Sequence, residues 1–176
     1  MQPGLHGYQR IDHGVSPERP IALMRDLWPE TGPGRRDMHY AVELGIVRRG
    51  TMRRIHGKNW ECEFHPGDLW MCGVWEPHEA EVLEAPLDLV MFHAEPAVLG
   101  RLYVPEAPDT RWLSFFTRPS ERRPHPLSAH RDRQMEFADR GARLAGEEGL
   151  RRRLGERLLF TELLFHLALH DAGDAN

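Results

Sequence analysis

The chain has 176 residues, 40% of them hydrophobic and 28% charged. That is enough for one globular domain that buries a core without disulfides or a structural metal, and it excludes rods and disordered chains. Twenty-three basic against 27 acidic residues leave a formal charge of −4, which argues against a chain whose main task is to grip nucleic-acid phosphates.

Residues 1–20 are rich in Gly, Pro and polar groups and read as a loosely held lead-in, with no apolar stretch of the signal-peptide kind. IALMRDLW (21–28) predicts a first strand, and PETGPGRRD (29–37) a loop. From Met38 to Asp88 short runs rich in Val, Ile, Trp and Phe alternate with turn signals: 39–49, a hairpin turn at Gly50, 51–56, 60–64, 69–75 and 78–83. Strands at that spacing mean a sandwich or barrel rather than alternating βα units. PLDLVMFHA (86–94) predicts a further strand buried on both faces; 97–103 predicts a short helix, and 110–117 a strand or an apolar plug. A linker rich in Pro and charge (118–126) leads to two helices, 127–145 and 150–173, with a hinge at 146–149. The expected division is therefore a barrel with its lead-in over 1–118, and a linker with two helices over 119–176.

The first helix has a thin apolar stripe of Leu127, Met135, Ala138, Ala142 and Ala145. The second has too much apolar surface for one contact. Leu154, Leu158, Phe165 and Leu169 recur on one face, while Leu159, Leu163 and Leu167 fill an adjoining one. One face fits the chain's own barrel, and the other predicts a homodimer interface. The greasiest run, 158–169, falls short of the roughly 20 residues that span a bilayer and contains Glu162, so a soluble, cytoplasmic protein without membrane contact is expected.

The chemistry concentrates between positions 37 and 78. On an unbroken strand Asp37, His39 and Glu43, separated by even steps, share a face. Further on, Pro66-Gly67-Asp68 opens a strand, and His78 follows Glu76-Pro77. His39-x3-Glu43-x6-Gly50 with Pro66-Gly67-Asp68 and Pro77-His78 resembles the two motifs of the cupin superfamily over roughly residues 21–95. The text Met38 to Leu44 with the later Pro-Gly-Asp-Leu is similar to the sensor domain of AraC-type transcription regulators. The resemblance implies a mainly β fold, a double-stranded β-helix (jelly-roll barrel), followed by a C-terminal pair of dimerising helices. It also implies a small polar effector in the barrel, and a DNA-binding helix-turn-helix that these 176 residues do not contain. This chain itself is then expected not to bind DNA.

The sequence departs from the family pattern where metal cupins have their first histidine, which here is Asp37, and where they have Pro-x-Gly, here Gly73-Val-Trp75. A carboxylate also ligates, so Asp37, His39, Glu43 and His78 are candidate ligands for a divalent transition metal (Zn, Ni, Mn or Fe). The same four groups, with Trp28 and Trp75 beside the motif loops, are the candidate effector contacts. A small metal-dependent cupin enzyme, a dioxygenase or isomerase, is the competing reading.

Other features have plainer readings. His56 and His93 are expected to be hydrogen-bonded interior residues, and Cys62 and Cys72 free thiols. The other tryptophans are expected in the core. Arg151-Arg152-Arg153 reads as a solvated face balanced by Glu147, Glu148 and Glu156, and the Arg48-Arg49 and Arg53-Arg54 pairs flank Gly50 without forming a stripe.

Overall fold

Alternating side chains on two long strands set the architecture. In the computed structural model, which describes residues 7–57, 60–123 and 128–171, β4 (Val42–His56) and β7 (His78–Ala94) run antiparallel along almost their whole lengths. Each changes its outer neighbour halfway. The first half of β4 pairs with β6 (Leu69–Cys72), and its second half with β5 (Trp60–Phe64). Likewise the start of β7 pairs with β3 (Gly32–Met38), and its end with β2 (Ile21–Trp28). The two-residue β1 (Gln9–Arg10) lies parallel to β3. The result is a mixed seven-stranded sheet made of two half-sheets that share β4 and β7. Side chains from both halves meet, since Arg54 of one reaches Glu43 of the other at 3.0 Å.

The half-sheet of β2, β7, β4 and β6 is buried on both sides. Leu23, Leu44, Ile46, Val90 and Phe92 face helices, while Val47, Leu87, Leu89 and Met91 turn inward with Met52, Phe64 and Trp70. This explains the near-continuous apolar text of 86–94. After the short α1 (Pro96–Gly100), α2 (Ser114–Thr117) packs Phe115 and Phe116 into the core beside β6, so of the two expectations for 110–117, strand or apolar plug, the plug holds. The helices α3 (Arg131–Leu144) and α4 (Gly149–Asp171) then cover the half-sheet through Phe137, Phe160, Leu163 and Leu167.

Two expectations are corrected. The stretch 29–37 is not a loop: from Gly32 it forms β3, whose irregular pairing with β7 shifts register between Pro33 and Arg36. Gly50 makes no hairpin; the chain runs on through it within β4. There φ is 79°, and a Cβ would lie 2.5 Å from the Glu84 carbonyl oxygen, so the glycine permits close passage of β7. Within the expected linker, Ser120 and Arg123 are buried, and Arg123 donates to the Met71 carbonyl of β6. Leu127 of the expected helical stripe lies outside the described residues.

Candidate functional site

Between the half-sheets lies a buried polar cluster. Asp37 is the penultimate residue of β3, His39 sits in the break between strands, Glu43 is on β4 and His78 opens β7. Asp37, His39 and Glu43 therefore do not share a face of one unbroken strand, since the strand stops at Met38 and restarts at Val42. Sheet pairing gathers them instead: Asp37 and His56 are both opposite His78, and Glu43 is opposite His93.

Two of the histidines have their tautomers fixed. His39 Nδ1 lies 2.7 Å from the Ala41 carbonyl, and His78 Nδ1 lies 2.9 Å from that of Glu76. A carbonyl only accepts, so both Nδ1 atoms donate, and Nε2 of each ring carries a lone pair or a second proton. Those Nε2 atoms face carboxylates: His78 Nε2 is 2.6 Å from Asp37 Oδ1, and His39 Nε2 is 3.4 Å from Glu43 Oε2. Asp37, His39 and His78 each offer a ligand atom, all within 4.8 Å of one another. Two imidazoles and a carboxylate, oriented by backbone carbonyls behind them, suit a divalent transition metal.

Glu43 is differently placed. Its Oε1 accepts from Arg54 at 3.0 Å and from the Trp70 indole at 2.6 Å, and its Oε2 contacts His93 at 3.1 Å. Burial pushes the Glu43 pKa up, but the Arg54 charge and the bonds to His39 and His93 hold it well below the usual carboxylate range. Burial similarly opposes ionisation of Asp37, and His78 outweighs it, so this carboxyl too lies low. For His39 burial lowers the pKa, yet Glu43 more than compensates and raises it. Protons and metal ions thus compete for the same atoms. Nearby, burial lifts the Cys72 thiol well above its ordinary value, and it lies 3.0 Å from Arg54.

The space divides in two. An inner cavity of about 40 Å³ touches Asp37, Glu43, Arg54, His78, His93 and Trp28, which is room for an ion or a water rather than an organic effector. An outer pocket of about 340 Å³ at the mouth is lined by His13, His39, Tyr40 and Trp75, among others. The expected effector set is therefore split: Asp37, Glu43, His78 and Trp28 belong to the inner space, His39 and Trp75 to the outer. Another cavity, of about 440 Å³, lies between Pro20, Glu95, Arg101 and Arg157; its lining lacks the convergent ligand atoms of the polar cluster.

Sequence reasoning missed the partners that complete the cluster. His13, from the lead-in, stacks on His93 with ring centroids 3.5 Å apart and lies 4.7 Å from His39. Nothing in the local text of 11–16 signals that placement. Arg54 was legible only as one of two alternating arginines, although the inward parity of β4 from Glu43 across the Gly50 irregularity decides its role. His93 is interior and bonded, as expected, but to Glu43 itself.

No family model matches the chain, and no curated protein matches it. Among solved structures it is similar to the oxalate decarboxylase of Bacillus subtilis. A serine-to-alanine mutant matches at 16% identity and TM-score 0.41, over 44% of this chain and 22% of that one. A tryptophan-to-tyrosine variant matches at 17% and 0.42 over the same shares, and a structure concerned with that enzyme's Mn(II) centres at 15% and 0.41. The chain thus spans under a quarter of the length of those structures, 22% of each.

Proposed function

We propose that this chain is the ligand-sensing and dimerising unit of an AraC-type regulator, built on a cupin barrel, with a transition metal at Asp37, His39 and His78 and a small polar effector at the mouth. The observation that carries the reading is the outer face of α4. Leu154, Leu158, Phe165 and Leu169 are 52%, 69%, 38% and 73% exposed, while Leu159, Leu163 and Leu167 of the adjoining face are buried against the barrel. A contiguous apolar stripe on a helix already docked is a surface that soluble monomers seldom leave in water. A second copy of the same helix covers it by two-fold symmetry. The motif resemblance adds weight, because Trp75 keeps a φ of 52° at the position where the family has glycine, and its N–H bonds the His39 carbonyl at 2.8 Å. The metal, when bound, supplies Lewis acidity and fixes the orientation of His39 at the floor of the effector pocket.

A metal-dependent dioxygenase or isomerase is the second reading, favoured by the two-histidine, one-carboxylate set that leaves coordination positions open. Light scattering separates the two. The sensor reading expects a dimeric parent, a folded monomer for Leu158→Glu, and loss of folding for Leu163→Glu, whose side chain is fully buried. A monomeric parent at micromolar concentration, or a Leu158→Glu chain that stays dimeric, refutes it.

A further inference from the structure

Away from the barrel, three histidines meet where the approach to α3 faces the end of α4. His130 ends the helical turn Ser128–His130, and His166 and His170 stand one turn apart on α4. Ring centroids are 3.5 Å apart for His130 and His170, 4.5 Å for His166 and His170, and 5.6 Å for His130 and His166. His166 is 8% exposed, and its Nε2 is buried without a hydrogen-bond partner. Simple filling of the helix seam accounts for the stacking, and Phe137 packs against His166 at 5.6 Å in that sense. It does not account for an unpaired ring nitrogen, because leaving such a group buried is unfavourable.

We propose that His130, His166 and His170 form a second divalent-metal site, of the zinc or nickel type, that pins α3 to α4. Histidines four apart on a helix present two imidazoles to one side, and a third from a neighbouring segment completes a three-nitrogen set with positions left for water. In the stacked arrangement the three rings do not bring one ligand nitrogen each within 4.8 Å of one another, so binding requires the half-buried His130 and His170 rings to turn out of the stack towards the ion. The charge balance permits it. Burial, then His170, His130 and Arg133, hold the His166 pKa down at about 4, so its ring is neutral. Arg133, the nearby cation, is engaged by Glu136 at 2.5 Å and Glu162 at 3.0 Å. The C-terminal end of α4 favours a cation, while the start of α3 opposes it. Because Phe165 and Leu169 flank His166 on the same helix, the ion would also stiffen the proposed dimer face.

The test uses the tag-free 176-residue chain, stripped with chelator and titrated with zinc by calorimetry. His39→Ala silences the barrel, so zinc bound by that variant reports the helical site. We expect one ion per chain there, a rise in Tm of about 5 °C, and loss of both in His39→Ala/His170→Gln and in His39→Ala/His130→Gln. In the parent, His170→Gln and His130→Gln each lower the count by one, which covers the case of a His39→Ala chain that does not fold. Circular dichroism checks that the variants are folded. Unchanged stoichiometry after His130→Gln and His170→Gln overturns the proposal. Failure of the barrel site alone shows differently, as equal binding by the parent and His39→Ala.

Discussion

Replacing Arg54 by methionine tests how the space between the two half-sheets is held together. Arg54 and Glu43 are 5% and 4% exposed and lie 3.0 Å apart. Removing the guanidinium deletes a charge-assisted hydrogen bond of about 1.5–3 kcal/mol. It also removes a cation–π contact of about 0.5–2 kcal/mol with Trp70, whose ring centroid is 4.9 Å away. Methionine restores part of the packing, and Glu43 keeps Trp70 and His93. The net cost is then about 3–5 kcal/mol, as for other buried pairs broken on one side. With a urea m-value of about 2 kcal/mol/M, the unfolding midpoint should fall by about 1.5–2.5 M. Most of that penalty is the orphaned carboxylate, so Arg54→Met combined with Glu43→Gln should recover at least half of it. A single-variant cost below about 1 kcal/mol, or strict additivity in the double variant, refutes the description of Glu43 as a charge kept buried by Arg54.

Gly45→Ala should destabilise by more than about 3 kcal/mol, because a Cβ there would lie 2.1 Å from the Trp70 ring; tryptophan fluorescence and urea unfolding read it, and a neutral result would mean the indole does not lie on the strand. Acid should act in two steps. Burial keeps the folded His56 pKa at about 4 against an ordinary 6.5, so the unfolded chain binds the proton first and stability falls from pH 6.5 downward. Glu76 opposes burial through His56 and Arg123 and lies well below its ordinary 4.5, so its contribution is present above pH 4.5 and lost below it. The urea midpoint followed against pH should lose its lower step in Glu76→Gln, and an unchanged acid limb would exclude that role.

Much of the fold was legible because burial on two sides leaves a mark in the text. The run 86–94 is apolar at nearly every position since one set faces the helices and the other the interior. The two faces of α4 were equally plain, but which one points to water depends on the docking angle, and only the fold decides that Leu159 and Leu163 are inside. What misled was punctuation. Gly50 reads as a turn by composition, yet here its conformational freedom serves close passage between β4 and β7. Gly32, Pro33 and Gly34 read as a loop, while irregular pairing lets them form a strand.

The site was legible only in the half that local spacing controls. His39 and Glu43 are four residues apart, and motif spacing alone placed them near His78. Their charge state, however, is set by residues with no local signal: Arg54 lies eleven positions beyond Glu43, His93 fifty beyond, and His13 arrives on a segment without secondary structure of its own. That difference bears on function. Arg54 already neutralises one carboxylate of this chamber, since Glu43 is engaged by Arg54, Trp70 and His93. Asp37 instead faces His78 at 2.6 Å, with His39 also nearby and no arginine among its described partners. Of the four candidate ligands, Asp37, His39 and His78 offer atoms within 4.8 Å of one another, and Glu43 forms a further such group with Cys72 and His78; the engagement of Glu43 by Arg54 favours the first group. Metal affinity should then depend steeply on Asp37 and only weakly on Glu43.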